Sequence, residues 1–432
     1  MNEQEKASSL SGVKAALRDG RNPFPLDRTT GPLLAEGTRE RLMRLCPPDE
    51  KGKPLMMTGI SGSQKALAAA ALLKNYDRAV IIIPDQKDIF RWEEDLAFFA
   101  PDYDAHPFPL VEEAGFHVTF TGTERLRDRM QSLSLLMEKK KTVILATSIE
   151  AAQKIVSPQL LKDHALTFTL GEEWGREDLL EKLVSAGYER VGQVERCGHF
   201  AVRGDIVDIF PISEAHPLRI EFFGDEIDSI RSFDEDSQRS MERFEKAMVL
   251  PLSLKEEKKS ILFDYLDGGL ILYDEPQRSE ENLNRYFKEE KENRGKAFPW
   301  NDMVRRGRKG NREIIFSLLN RSLTAFQPVI FGWQGQSMTN YQRQIPIFIE
   351  DLKSLLKKEW KVFLVVPRAS EEEELKEILK EYEIPLSSDM TSSSVCLVHG
   401  VLSEGYEMAP EKLALLTAGD ILGKQKIRRV RG

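Results

Sequence analysis

Two short stretches of the 432-residue chain carry residue types and spacings suited to nucleotide chemistry. "GISGSQKA" (59–66) follows the apolar run Leu55, Met56, Met57 and leads into an Ala/Leu-rich stretch. That is the strand, loop, helix setting in which a P-loop turns backbone N–H groups toward phosphate. Set against G-x-x-x-x-G-K-[ST] from Gly59, with Gly62 inside the loop, Lys65 is in register. Gln64 stands where the second glycine belongs, and Ala66 where a hydroxyl would orient magnesium. A long side chain at 64 collides with the space a nucleotide needs, and Ala66 removes one metal ligand. "LILYDEP" (270–276) offers the matching partner, an apolar run ending in Asp274 and Glu275, in the positions of a magnesium ligand and a water-activating base. Apolar runs ending in Asp-Glu recur by chance, and for the first stretch a tight strand-to-helix turn with a surface lysine is favoured over a working ATP site. Together they predict an ATPase-type fold whose catalysis has lapsed, with no catalytic residue, metal or cofactor.

No other catalytic set is present. The six histidines (His106, His117, His164, His199, His216, His399) lack metal-ligand spacing, and neither G-x-S-x-G nor H-E-x-x-H occurs. Cys46, Cys197 and Cys396 lie too far apart in sequence to suggest a disulfide framework or a zinc site.

The elements that must position these residues are read from hydrophobic period. "AVIIIP" (79–84) and "TVILAT" (142–147) read as buried strands and "DIFRWEEDLAFF" as a helix, an α/β grammar that ends near residue 158. "GREDLLEKLVSAGYER" then reads as a helix with Leu179, Leu180, Leu183 and Val184 on one face and Gly187 as its stop. Next, "QVERCGHFAVRGDIVDIFP" and "LRIEFFGDEIDSIRSFD" alternate at period two around Gly198, Gly204 and Gly224-Asp225, which predicts antiparallel hairpins. After 242 the α/β grammar returns. From about 328, "PVIFGW", "KVFLVVP", "SVCLVHG" and "KLALLTAGD" alternate with helical runs as a small parallel-sheet domain. The expected organisation is an α/β domain in two parts (1–154 and 242–325), an inserted α+β domain (155–241), a small α/β third domain (326–423) and a basic tail (424–432).

Composition is that of globular protein, with 41% apolar and 31% charged residues and no apolar run long enough to span a bilayer. The polar N-terminus lacks a signal-peptide core, so a reducing cytoplasm is expected. A net charge of −8 argues against coating nucleic acid by bulk electrostatics. The tail "KQKIRRVRG" carries Lys424, Lys426, Arg428, Arg429 and Arg431, which suits a solvated linker or a DNA-facing arm.

"GHFAVRGDIVDIFPISEAHPLRIEFFGDEIDSIRSFDEDSQRS" closely resembles the module shared by the bacterial nucleotide-excision-repair helicase UvrB and the transcription-repair coupling factor Mfd. "FAVRGDIVDIFP", "FDEDSQRS" and the lapsed loop are more similar to the coupling-factor family, since UvrB has an intact G-K-T. "HPFPLVEEAGFHVTFTGTERLRDRMQSL" shows no Tyr-rich hairpin of the UvrB kind, and "VLSEGYEMAPEKLALLTAGDILG" resembles the end of the family's third domain. The resemblance covers essentially the whole chain. It implies the UvrB-homology module plus third domain of a longer repair factor, in which RNA polymerase and duplex DNA would be met by domains absent here. It also implies that the inserted domain docks UvrA without catalysis; the alternative is a DNA-dependent ATPase or helicase subunit. Carried over by motif, Arg190 and Arg203 are the charged anchors. His199 shares the strand face of Arg203, and Phe210 is either an apolar companion or a plain core residue. A further arginine of UvrB falls on Ala201 here, so the contact set must differ. Without the resemblance, both arginines also read as solvated strand decoration.

Overall fold

A computed structural model describes residues 30–45, 53–111, 120–138, 140–252, 254, 258–290, 292–387 and 394–423. Cys46, His117 and the basic tail lie outside them. The chain divides into two compact units, one of Met1–Asn75, Lys87–Asp104 and Ile314–Gly432, the other of Tyr76–Gln86 and Ala105–Glu313. Sheet strands of the first unit lie in the order Val329–Gly332, Leu55–Thr58, then the strand that continues from Ile314 to Ser317, and those of the second in the order Leu270–Asp274, Arg78–Ile83, Thr142–Thr147, Asp104–Pro107.

In the first unit Leu55–Thr58 pairs in parallel with both neighbours, Met57 lying opposite Phe316 and Phe331. The following helix, Gln64–Leu73, buries Ala66 through Ala71 and Leu73 to 1% exposure or less. A helix covered on nearly every side must be apolar all round, and alanine lets neighbours come close. Those neighbours are the helices Thr30–Leu45 and Ile89–Phe99. "PVIFGW" reads in sequence as the first strand of the C-terminal set. The structure instead pairs Val329–Gly332 with Leu55–Thr58, because a short apolar run carries no information about which sheet it joins. The C-terminal sheet is likewise not purely parallel. Lys361–Val366 pairs in parallel with Val395–His399 and Leu413–Thr417, while Tyr406–Met408 and Gly335–Ser337 add two antiparallel strands.

In the second unit the strands Leu270–Asp274, Arg78–Ile83 and Thr142–Thr147 run parallel, Val80 lying opposite Ile271 and Ile144. Every residue of the three is buried, as unbroken apolar runs in a two-sided sheet require. The hairpins form a six-stranded sheet from Glu189–Arg190 to Ser240–Arg243. Gly204 and Gly224 have positive φ (58° and 65°) in the two-residue turns that join its strands, a conformation a Cβ disfavours. The helix Arg176–Ser185 covers one face with Leu179 and Leu183, and Gly187 follows at φ 92°. Val184, expected on that face, is 58% exposed, since it sits about 140° around the helix from Leu179. A two-stranded sheet, Leu166–Thr169 against Lys246–Val249, closes the same core.

Candidate functional site

The loop at 59–66 and its surroundings belong to the first unit. Gly59 and Gly62 hold positive φ (80° and 54°), and the Gly59 N–H donates to the Ser317 carbonyl at 2.9 Å, so the chain turns sharply from strand to helix. Other segments of the unit pack against the turn. The indole Nε1 of Trp333 donates to Gln64 Oε1 at 2.7 Å, and Gln64 is 1% exposed. Ser63 Oγ donates to the Glu404 carbonyl at 2.7 Å, and Ser61 Oγ meets Ser337 Oγ at 3.0 Å. A Cβ built on Gly62 would lie 1.5 Å from Glu404 Oε1, which places that carboxylate directly against the turn. Gly335 is required on the far side, for its Cβ would come within 2.0 Å of Gln64 Oε1. Ala66 is 1% exposed and Lys65 half-buried at the start of the helix. Sequence reading finds Gln64 as a defect; it does not find Trp333 and Glu404, which lie more than 250 residues away.

Behind the loop, Asp95 accepts from Ser403 N and Oγ, both at 2.7 Å. Burial pushes its carboxyl up to about 7, against the opposing pull of those two bonds. Asp274 and Glu275 lie in the second unit. Asp274 ends its strand at 5% exposure, and Glu275, at φ 45°, turns the chain into the helix Pro276–Glu289. Among the described residues no group of three or more His, Cys, Asp or Glu is placed to hold a metal ion.

The second candidate is the rim of the hairpin sheet. Arg190 sits on the edge strand Glu189–Arg190, which pairs in parallel with His199–Arg203, Arg190 opposite Phe200. Arg203 is exposed, and its Nη2 donates to the Gly192 carbonyl at 3.0 Å, which brings its guanidinium beside the loop that follows Arg190. Two further arginines join them without a signal in the motif. Arg176, opening the helix, donates through Nη2 to the Gly204 carbonyl and lies 3.7 Å from Asp205. Arg196 donates through Nε to His199 Nε2 at 2.8 Å and reaches Glu189 at 3.7 Å. His199 itself is 8% exposed; burial and the adjacent Arg196 lower its pKa, so it is a neutral prop beneath Arg196. Phe210 is 4% exposed and packs with Val194 and Ala201 under the same loop. Ala201 thus occupies a satellite core, where a long arginine side chain would not fit. Phe200 points into the main core and Val202 packs against it, as the alternation predicts.

On the same outward row, Asp208 holds Arg219 in a bidentate pair at 2.7 and 2.8 Å, and Arg219 lies over the Phe233 ring at 4.3 Å. This stiffens the strands behind the exposed arginines. No helix among the described residues is long and apolar enough to cross a membrane.

Residues 166–254 match the family model of the UvrB interaction domain. Over 456 aligned residues the chain is 23% identical to a transcription-repair-coupling factor of Staphylococcus haemolyticus, and over 460 residues 22% identical to one of Bacillus subtilis. Each alignment takes in 87% of this chain and 39% of the relative, so the chain spans well under half the length of the proteins it matches. With the hairpin sheet in place between residues 166 and 254, the chain is similar over most of its length to the transcription-repair-coupling factors and, in that segment, to the UvrB interaction domain.

Proposed function

We propose that this chain is a non-catalytic recruitment module of transcription-coupled repair, and that its hairpin domain docks the damage-recognition protein UvrA. The observation that carries the reading is the cluster of exposed arginines, Arg176, Arg190, Arg196 and Arg203, on the rim of a stiff sheet inside the segment that matches the interaction domain. Arginine anchors on rigid strands suit a partner surface rich in carboxylates. In titrations of purified chain against UvrA, Arg190→Glu and Arg203→Glu should each weaken binding at least about tenfold, since reversing an anchor charge replaces attraction with repulsion. Both side chains are exposed, so circular dichroism and melting should match the parent. Parent-like binding by both variants would sink the assignment.

The P-loop helicase-type ancestry and the lack of catalysis belong to the same proposal. Their support is the loop geometry: Gln64 is buried and bonded to Trp333, and the Glu404 carboxylate lies against the Gly62 turn, where it would repel a phosphate. ATP turnover with magnesium and DNA should therefore stay far below about 1 per second, the low end of ordinary enzymes. The double change Gln64→Gly with Ala66→Thr should not restore it, because Glu404 still covers the turn. Turnover at or above that rate in the parent would revive the ATPase alternative.

A further inference from the structure

The second unit has a basic concavity that the docking reading does not use. A cleft of about 470 Å³ is lined by Asn284, Phe287, Lys288, Arg294, Ala297 and Pro299, a size within the roughly 300–1,000 Å³ of ligand pockets. One wall is the helix Pro276–Glu289 and the other is the turn that follows it. Asn293 Nδ2 donates to the Tyr286 carbonyl at 2.9 Å and ties the two walls together, while the Phe298 N–H donates to the Ala152 carbonyl at 2.9 Å and anchors the floor.

The charge here runs against the rest of the chain. Residues 284–312 contain ten Lys or Arg against four Asp or Glu, in a protein of net charge −8. Several of the cations are committed: Arg305 to Asp302 at 2.6 Å, Arg306 to Asp264 at 3.2 Å and Arg308 to Glu313 at 2.8 Å. Lys288 and Arg294, which face the cleft, form no ion pair among the described residues, and the lining contains no carboxylate. Glu289, at the end of the helix, and Glu290 and Glu292 beyond it are not part of the lining. Behind the rim, Arg306 and Lys154 lie over the Phe298 ring, at 4.2 and 5.2 Å from its centre, and add to the positive field.

Unpaired cations beside a half-buried aromatic ring suit a ligand with both phosphate and a flat base. We infer that this cleft binds single-stranded nucleic acid, with Lys288 and Arg294 on backbone phosphates, Phe287 stacked on one base and the Asn284 amide at a base edge. An unpaired strand fits better than a duplex because stacked, paired bases cannot turn into a concavity. It fits better than an acidic peptide because carboxylates offer the Phe287 ring, which meets the Tyr286 ring at 5.8 Å only in a tilted contact, nothing flat to stack on.

Anisotropy of a labelled oligothymidylate of about 12 nucleotides tests this with the full chain. Lys288→Glu with Arg294→Glu should weaken binding at least about tenfold and flatten the slope of log K against log salt by about 1.4, since about 0.7 is lost per phosphate contact. Phe287→Ala should weaken binding about fivefold or more with the slope unchanged, because stacking releases no counterions. Changing Lys424, Lys426, Arg428, Arg429 and Arg431 together to serine should leave the affinity within about twofold. Lys288→Ala with Arg294→Ala gives the same readout should charge reversal alter the melt. The inference is overturned if the parent does not bind, if the cleft variants bind like the parent, if the tail variant abolishes binding, or if a duplex of equal length or oligoglutamate binds as tightly.

Discussion

Residues 164–254 expressed alone should melt in one cooperative transition, and the same fragment stopped at 241 should have none. The sequence break at 242 falls before the strand Lys246–Val249, which pairs with Leu166–Thr169 and puts Val249 opposite Leu166 and Ala247 opposite Phe168. Val249 and Leu250 are 1% and 0% exposed, the Leu250 carbonyl accepts from Tyr188 Oη at 2.8 Å, and the Leu252 N–H donates to the Ala186 carbonyl at 2.8 Å. Cutting at 241 removes all of this and bares Phe168. Two fully buried aliphatic side chains contribute about 3–6 kcal/mol together, and the lost ladder adds to that. A domain of this size holds only about 5–15 kcal/mol in all, so the shorter fragment should be mostly unfolded. Far-ultraviolet dichroism on heating decides the question. A cooperative melt from the fragment ending at 241 would show that the two-stranded sheet is dispensable.

Raising the pH from about 4 to about 8 should destabilise the parent relative to Asp95→Asn by up to the order of 4 kcal/mol. Asp95 is 4% exposed and its carboxyl is pushed up from 3.8 to about 7 by burial. Between those two values the folded chain keeps a proton that the unfolded chain has released. The unfolded state then binds fewer protons, so stability falls as pH rises through that window and is flat on either side. Asparagine does not titrate, still accepts from the Ser403 N–H and can donate to Ser403 Oγ. Other carboxylates titrate in both proteins and cancel in the difference. Denaturant midpoints for the two at pH 4, 6 and 8 give the comparison. A gap that stays constant with pH would mean that Asp95 is ionised in the fold throughout.

Local chemistry was legible in the sequence wherever a residue type answers to a backbone demand. Gly204 and Gly224 marked the hairpin turns, Gly187 the helix stop, and Gly59 and Gly62 the strand-to-helix turn. Unbroken apolar runs marked the parallel strands. What sequence could not reveal was pairing between distant segments. Val329–Gly332 looks like any short buried strand until its partner Leu55–Thr58 is seen, and Trp333 and Glu404 have no local signal that ties them to the loop at 59–66. The proposed docking rim was legible only in part. Arg190 and Arg203 came with the motif, whereas Arg176 reaches the rim only because the helix starts beside the Gly204 turn. His199 follows from strand position, which cannot tell an outward residue from one roofed by the loop at 191–198, and Phe210 comes with the motif, its plain core reading matching its 4% exposure.

The bond from Trp333 to Gln64 also couples residues far apart in sequence. Mutating Gln64 to glycine would leave a buried indole N–H with no acceptor, at about 1–3 kcal/mol, while Glu404 still sits on the turn. Truncating Glu404 alone leaves Gln64 buried and bonded to Trp333. The closed form of this loop is therefore held in duplicate, like a door on two latches, and no single substitution releases it.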